Sequence, residues 1–407
     1  MIKLSRLPLI FIFIFISNCL NAQYNKNYFN WTSSPFLINE LDSLLIQSSK
    51  YGLKIADYNR KYLSQYKDRK EQTQSKDVNT DSLIHAVALH FFSDLAYGNS
   101  PPNFAYPGLS YKFDYDAVNT FLQAAANKNA LKKLVAQYNN ESTEVSALLK
   151  ELNNTTITKK KIAIITKAIN DYRWLNNVRK NNKLILVNIP STQLQYFDKG
   201  ILQMNMKVIV GKYITPTTTL TSKLNKIIIN PYWNVPRSIM VREMLPFLKN
   251  DPGYIERNHL ELRGLNYKVV NPYEVDWKNV DTVKFPFYIR QSTGCDNSLG
   301  IIKLDFDNPF GIYIHDTPEK SLFLLNNRFF SHGCIRMEKP IALAKYLLNN
   351  NKLALDTINL DNCYKNPSPI NIQMQENVNV VIWYHLIDIN EQGIIRYYND
   401  IYNKYKY

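Results

Sequence analysis

Lys183-Leu184-Ile185-Leu186-Val187 is where this chain of 407 residues changes texture. The run is short, apolar and partly β-branched, and similar runs follow at Gln193 to Phe197, Leu202 to Val210 and Ile227 to Ile229, so the reading is a series of strands. Asp198-Lys199-Gly200 stands between two of them as a hairpin turn in which glycine can take positive φ. On the N-terminal side the pattern is different. From Phe36 to about Arg179 apolar residues recur three and four apart, as in Leu37-Ile38-Leu41-Leu44-Leu45 and Leu83-Ile84-Val87-Phe91-Leu95, which is the helical period. Gly52 and Gly98 serve as helix stops, Pro101-Pro102 and Pro107-Gly108 punctuate a loop, and Lys67 to Asp77 is a polar connector. The expected organisation is α+β, with a helical domain over 23–180 and a β-rich domain over 181–350.

Pro236 to Lys284 interrupts the strands, reading as helical around Met240 to Leu248 and loop-like through Asp251-Pro252-Gly253 and Asn271-Pro272. So long an excursion inside a β domain marks a lid or binding loop, here about 238–284, with a plain surface insertion as the alternative. Strand signals resume at Phe287 to Arg290 and Ile312 to His315, and Pro340 to Leu348 reads as a helix with proline in its first turn. Val378 to Trp383 and Ile394 to Tyr398 flank Asn390-Glu391-Gln392-Gly393, so residues 351–407 are expected to form a hairpin extension of the same sheet.

The first residues read as a secretory leader. Lys3 and Arg6 precede an apolar run from Leu7 to Ile16, too short to span a bilayer, and cleavage is expected after Ala22. Cys19 leaves a lipid-anchored alternative open. No later stretch reaches membrane-spanning length, so an exported protein of the periplasm is expected. Four cysteines without a CxxC pair exclude a disulfide scaffold and a Cys-based structural zinc site. Removing Cys19 leaves Cys295, Cys334 and Cys363, an odd number, so at least one thiol is free or pairs with another chain. The net charge of +15 is spread as +7 over 23–180 and +7 over 181–350. An excess divided equally between two domains speaks against a nucleic-acid footprint and suits a carboxylate-rich polymer as partner.

The densest chemistry lies in Ile314-His315-Asp316-Thr317-Pro318 followed by Ser331-His332-Gly333-Cys334-Ile335-Arg336. Only the thiolate of a cysteine is a strong nucleophile, and at an ordinary pKa of about 8.5 Cys334 needs a base beside it. His315 closes a strand and can deliver an imidazole, with Asp316 or a backbone carbonyl holding the tautomer that accepts the thiol proton. Gly333 permits a tight turn that leaves the backbone N–H groups of Cys334 and its neighbour to face a developing oxyanion. The competing readings are a buried inert cysteine and a zinc site on His315, His332 and Cys334, whose His-x-Cys spacing is unusual for a chelate. His85, His90, His259 and His385 are read as structural. Cys295 is read as an inert thiol, a partner of Cys363, or a redox lock on Cys334.

These residues resemble the catalytic motif of the L,D-transpeptidases (YkuD type) of bacterial cell walls. The resemblance extends through Val187-Asn188-Ile189-Pro190, Val208-Ile209-Val210-Gly211-Lys212, Asn230-Pro231-Tyr232-Trp233-Asn234-Val235-Pro236, Arg290-Gln291 and Asn297-Ser298-Leu299-Gly300. The large, scaffold-bearing (YcbB-like) branch is suggested by Tyr51-Gly52-Leu53-Lys54-Ile55-Ala56-Asp57-Tyr58 and by Asp400-Ile401-Tyr402. The resemblance implies a helical scaffold domain, a YkuD-like catalytic domain with a capping lid, no cofactor and no metal. It implies Cys334 as nucleophile, His315 as general base, Asp316 as the position whose backbone orients His315, and His332 and Gly333 as shaping the oxyanion site. Arg336 would meet a substrate carboxylate, Trp233 would line a peptide groove, and Asn234, Arg290, Asn297 and Ser331 would join the substrate site. The partner would be the stem peptide of peptidoglycan. The implied reaction is acyl transfer through a thioester, expelling D-Ala and forming a 3-3 crosslink. Resolution by water, a D-amino acid or a protein lysine, and a wall-binding scaffold with a dead site, are the competing functions. The chain between the helices and Lys183 is too short for a separate wall-binding module.

Overall fold

The computed structural model describes residues 31–61, 63–64, 78–110, 114–124, 129–140, 142–154, 156–348 and 368–405. The leader expected over 1–22, Cys19, the connector Lys67 to Asp77 and Cys363 lie outside the described residues. Two compact units divide the chain.

The first unit takes 31–49, 54–93 and 114–137 of the described residues and is helical. Helix α1 (Pro35–Ile46) buries Leu37, Ile38, Leu41, Leu44 and Leu45, the set that the helical spacing singled out. From α2 (Val78–Tyr97) the side chains of Ile84, Val87 and Phe91 are buried, and Tyr58 meets Phe91 edge-on at 5.4 Å. The N-terminus of α3 (Tyr115–Gln123), followed in the chain by α4 (Ala130–Asn140) and α5 (Thr143–Leu152), is capped by Asp114, whose carboxylate accepts from the Ala117 N–H at 2.9 Å. His85 contacts Asn119 at 2.9 Å, and burial pulls its pKa down.

The second unit takes 50–53, 94–110 and everything described from Tyr138 onward. It is built on strands β1 (Lys183–Asn188), β2 (Gln193–Asp198), β3 (Ile201–Gly211) and β4 (Leu220–Ile229), then β5 (Trp233–Asn234), β6 (Leu260–Gly264) and β7 (Phe287–Gln291). After these come β8 (Ile302–Phe306), β9 (Ile314–His315), β10 (Phe329–Ser331), β11 (Ile335–Met337), β12 (Ile370–Gln373) and β13 (Val378–Trp383). In the order β4-β13-β1-β2-β3-β11-β9-β8 the strands pair side by side, and β8 pairs back onto β4, so the sheet closes. The turn between β2 and β3 has positive φ at both Lys199 and Gly200, the geometry a tight hairpin needs.

One core fills the inside of the ring, with Ile185, Val187, Val208, Leu304, Ile314 and Ile335 among its buried members. A second core lies outside β1, β2 and β13, where Leu184, Leu186, Phe197, Val381 and Trp383 pack with α6 (Lys159–Lys180). From α6, Ile165, Ala168, Ile169, Tyr172, Leu175 and Val178 recur at helical spacing and supply the matching stripe. The compact units do not divide at residue 180, where the strands begin. The helical residues 138–180 belong to the compact unit of the barrel, because their apolar face has its cover there.

The C-terminal expectation is also corrected. Val378–Trp383 is no outer hairpin strand. It runs parallel to β1 and antiparallel to β4, between them. The reason is its nearly unbroken apolar run: Val378, Val380 and Ile382 fill the inner core and Val381 and Trp383 the outer one, and only a central strand has cover on both faces. The hairpin forms between β14 (Ile387–Ile389) and β15 (Ile395–Tyr397), apart from the main sheet. A two-residue strand, Tyr106–Pro107, pairs with Leu220–Thr221 within the otherwise helical stretch.

The lid segment is more regular than the sequence reading. Strand β7 pairs with both β5 and β6, a π-helical turn spans Met240–Met244, and Val235, Met240, Leu248, Leu262, Trp277 and Ile289 form a separate small core. Leu260-Glu261-Leu262-Arg263 alternates apolar and charged residues, and its buried Leu260 and Leu262 face this core. Among the described residues no helix is long and apolar enough to cross a membrane.

Candidate active site

Alternation on three adjacent strands sets the site. In β8, β9 and β11 the residues Ile302, Leu304, Phe306, Ile314, Ile335 and Met337 enter the inner core. Their neighbours face outward. His315 stands opposite Lys303 on β8 and opposite Arg336 on β11. One step along, the Ile335 N–H donates to the Tyr313 carbonyl at 3.1 Å, which sets Cys334 beside Tyr313 on the same outer face. The sequence motif is thus two strand ends brought side by side by parallel pairing.

His315 is 5% exposed. Its Nδ1 donates to the carbonyl of Asp316 at 2.5 Å, leaving Nε2 as the acceptor of the neutral ring. Burial, followed by the positive charge of Arg336, pushes its pKa down to about 3, against the pull of the Asp316 and Leu299 carbonyls. Asp316 orients the ring through its backbone, while its side chain does other work. One carboxylate oxygen accepts from the Ile301 N–H at 3.0 Å and the other pairs with Lys320. Gly300 packs against that carboxylate: with φ +58, a Cβ there would fall 2.4 Å from the Asp316 side chain.

Cys334 is the free cysteine among the described residues, and Cys295 is disulfide-bonded, which overturns a lock between the two. The Cys334 thiol lies 3.8 Å from the Gly311 carbonyl. Burial raises its pKa, while hydrogen bonds from the Tyr313 backbone and side chain, then Lys303 and Arg336, pull it back. With the thiol raised and the imidazole lowered, the pair is neutral at pH 7. Gly333, at φ +117, makes the turn before Cys334. Its N–H is bound to the Ser331 hydroxyl at 3.2 Å and the Ile335 N–H to Tyr313, so neither neighbour of Cys334 has a free N–H for an oxyanion. The N–H of Cys334 and the Tyr313 hydroxyl are the donors that remain.

Two expected substrate residues have structural work instead. Asn297 is 0% exposed; its amide donates to the Ser292 carbonyl at 2.6 Å and accepts from Leu299 at 2.8 Å, folding the loop beneath His315. Ser331, 2% exposed, donates to the Cys334 carbonyl at 2.5 Å and so closes the turn. Neither can reach a substrate without unmaking these bonds. Arg336 pairs with the exposed Glu319, which a substrate carboxylate would have to displace. Arg290 is held within the lid, donating to Glu261 at 2.7 Å and lying over the Tyr232 ring at 4.0 Å. Asn234 is exposed on β5, opposite Arg290. Trp233, beside it, is half-buried and stands opposite Gln291. His332 points to the lid and contacts Glu243 of the π-helical turn at 2.6 Å. Among the described residues no group of three or more His, Cys, Asp or Glu side chains could hold a metal.

Sequence reasoning missed Tyr313, Lys303 and Glu243. Tyr313 meets the His315 ring edge-on at 5.4 Å, and the Lys303 ammonium lies 4.3 Å from the Tyr313 ring centre. The alternation Ile312-Tyr313-Ile314-His315 placed Tyr313 on the face of His315 and was a usable signal. Glu243 had none, since its contact depends on how the lid folds.

Residues 182–370 match the family model of the L,D-transpeptidase catalytic domain (YkuD), and residues 19–152 match that of the Scaffold domain. A protein of Haemophilus influenzae named "Putative L,D-transpeptidase" is 33% identical over 249 residues, which are 60% of this chain and 50% of that protein. The chain spans about half the length of this curated relative. Among solved structures, the Ldtfm-avibactam carbamoyl enzyme is similar at 12% identity, covering 59% of this chain and 62% of that one with a TM-score of 0.25. An L,D-transpeptidase from Mycobacterium smegmatis is similar at 12% identity, covering 50% and 58% with a TM-score of 0.22. Residues 182–370 therefore belong to the YkuD-type L,D-transpeptidase catalytic domains, and a Scaffold domain precedes them in the chain.

Proposed function

We propose that the protein is an exported cysteine L,D-transpeptidase that forms 3-3 crosslinks between peptidoglycan stem peptides. The observation that carries this reading is the free Cys334 on the same outer face as His315, whose Nδ1 is fixed on a carbonyl so that Nε2 can take a proton. Cys334 attacks the carbonyl of the diamino-acid residue of a tetrapeptide stem. Its thiol proton passes to His315 and then to the nitrogen of the departing D-Ala, leaving a thioester. The side-chain amine of a second stem attacks that thioester, loses its proton to His315, and forms the new amide as the proton returns to sulfur. The Cys334 N–H and the Tyr313 hydroxyl would bear on the oxyanion of each tetrahedral intermediate. Trp233 and the lid would cover the peptide and keep water from the thioester. Export and residence at the wall complete the reading and rest on the N-terminal leader and the basic surface charge.

Cys334→Ala is expected to abolish both D-Ala release and dimer formation while the fold is retained. Mass spectrometry of muropeptides incubated with wild type and variant reads both, and crosslinked dimers made by the variant would refute the assignment. The same spectra separate crosslinking from trimming, D-amino-acid exchange and protein anchoring, since each product differs in mass. A dead scaffold would yield none of them.

A further inference from the structure

The row that carries the nucleophile continues across the barrel. Cys334 lies beside Tyr313, and because Ile314 pairs with Leu304, Tyr313 lies opposite Asp305. Asp305 pairs with Lys226 on β4, and Lys226 with Gln373 on β12. At ~4.8 Å per strand, Lys226 stands roughly 14 Å from Cys334 along one outer face. There the ladder breaks. The register shifts between Leu224 and Lys226, and the opposing chain leaves the sheet between Gln373 and Val378. The paired irregularities open a cleft of about 560 Å³.

The cleft is lined by polar groups. Lys223 and Asp307 are exposed there and make no ion pair among the described residues, and Lys226 stands 3.7 Å from Asp305. Asn225 and Gln373 add side-chain amides. The lysines suit a free carboxylate, and Asp307 with the two amides suits the N–H and C=O groups of an extended peptide. The lid leaves the barrel after Ile229, three residues beyond Lys226 and six beyond Lys223 on the same strand.

We infer that the cleft is the subsite of the acyl acceptor, a carboxylate-bearing peptide whose reacting amine reaches Cys334. The span of roughly 14 Å matches about four extended residue lengths, or a long amine-bearing side chain followed by one or two residues. This rests on the transpeptidase reading above. It assigns the two substrates to opposite flanks of Cys334, the donor beneath the lid and the acceptor along the Tyr313–Asp305–Lys226 row.

The test separates the two half-reactions in the full chain. Lys223→Glu and Asp307→Lys are exposed charge reversals outside the catalytic row. With a soluble tetrapeptide donor, both variants should form the thioester within twofold of the wild-type rate, read by mass. The acceptor concentration giving half-maximal dimer should rise at least tenfold in Lys223→Glu and change in Asp307→Lys. Wild-type acceptor dependence in both variants would overturn the subsite, as would a parallel loss of thioester formation. A direct measurement stands apart from catalysis. Titrating the tetrapeptide into Cys334→Ala should shift the NMR amide signals of Gln373 to Asn377, and Lys223→Glu should suppress the shift. If wild type releases no D-Ala yet these signals move, the transpeptidase reading fails and the peptide subsite stands; unmoved signals overturn the subsite itself.

Discussion

His315 is buried as a neutral imidazole, and that state has a price in acid. Its pKa is pushed down to about 3 in the folded protein, first by burial and then by Arg336, whereas an unfolded histidine titrates near 6.5. Between those values the unfolded chain binds a proton that the native chain refuses, so stability must fall as the pH drops below 6.5. At pH 5 the penalty from this residue is about 2 kcal/mol, and at pH 7 it is only a few tenths. The perturbation is His315→Gln, which keeps a polar side chain of similar size and removes the titration. Denaturant unfolding followed by tryptophan fluorescence, at pH 7 and pH 5, gives four stabilities. Whatever the substitution costs at pH 7, the wild type should lose about 2 kcal/mol more than the variant on going to pH 5, because every other titrating group is common to both. Equal losses would mean that His315 takes a proton freely within the fold, and the neutral thiol–imidazole pair would be wrong.

Gly300→Ala should cost about 2–4 kcal/mol, because φ is +58 and the new Cβ would meet the Asp316 carboxylate; a shift in the denaturant midpoint measures it, and an unchanged midpoint would disprove the close approach. Tyr313→Phe removes a hydrogen bond that lowers the Cys334 pKa. The pH profile of thiol alkylation should move upward and thioester formation should slow by about tenfold, near the worth of one hydrogen bond; an unshifted profile would remove Tyr313 from the site.

Much of the site was legible because its residues are contiguous. His315 ends one strand and Cys334 precedes another, so alternation and the glycine before the nucleophile announced the pair without any long-range information. Ser331 and Asn297 were placed in the substrate site by the resemblance alone. Tight turns have their own unpaired backbone groups, and these two side chains satisfy them. Lys303 was invisible because the strand Ile302–Phe306 was not recognised, and its place beside His315 comes from antiparallel pairing alone.

By itself the sequence determined the periods: helical up to about residue 180, two-fold from Lys183, and a cysteine–histidine pair placed by strand alternation. Only the tertiary structure decided which strands are neighbours. Val378–Trp383 reads as an ordinary terminal strand, yet it sits between β1 and β4, and α6 belongs with the barrel rather than with the helices before it. The physical reason is that a period states which side of an element is apolar but not what covers it. Cover is settled by closure of the sheet, which brings residues more than 150 positions apart into register, and no local pattern encodes that choice.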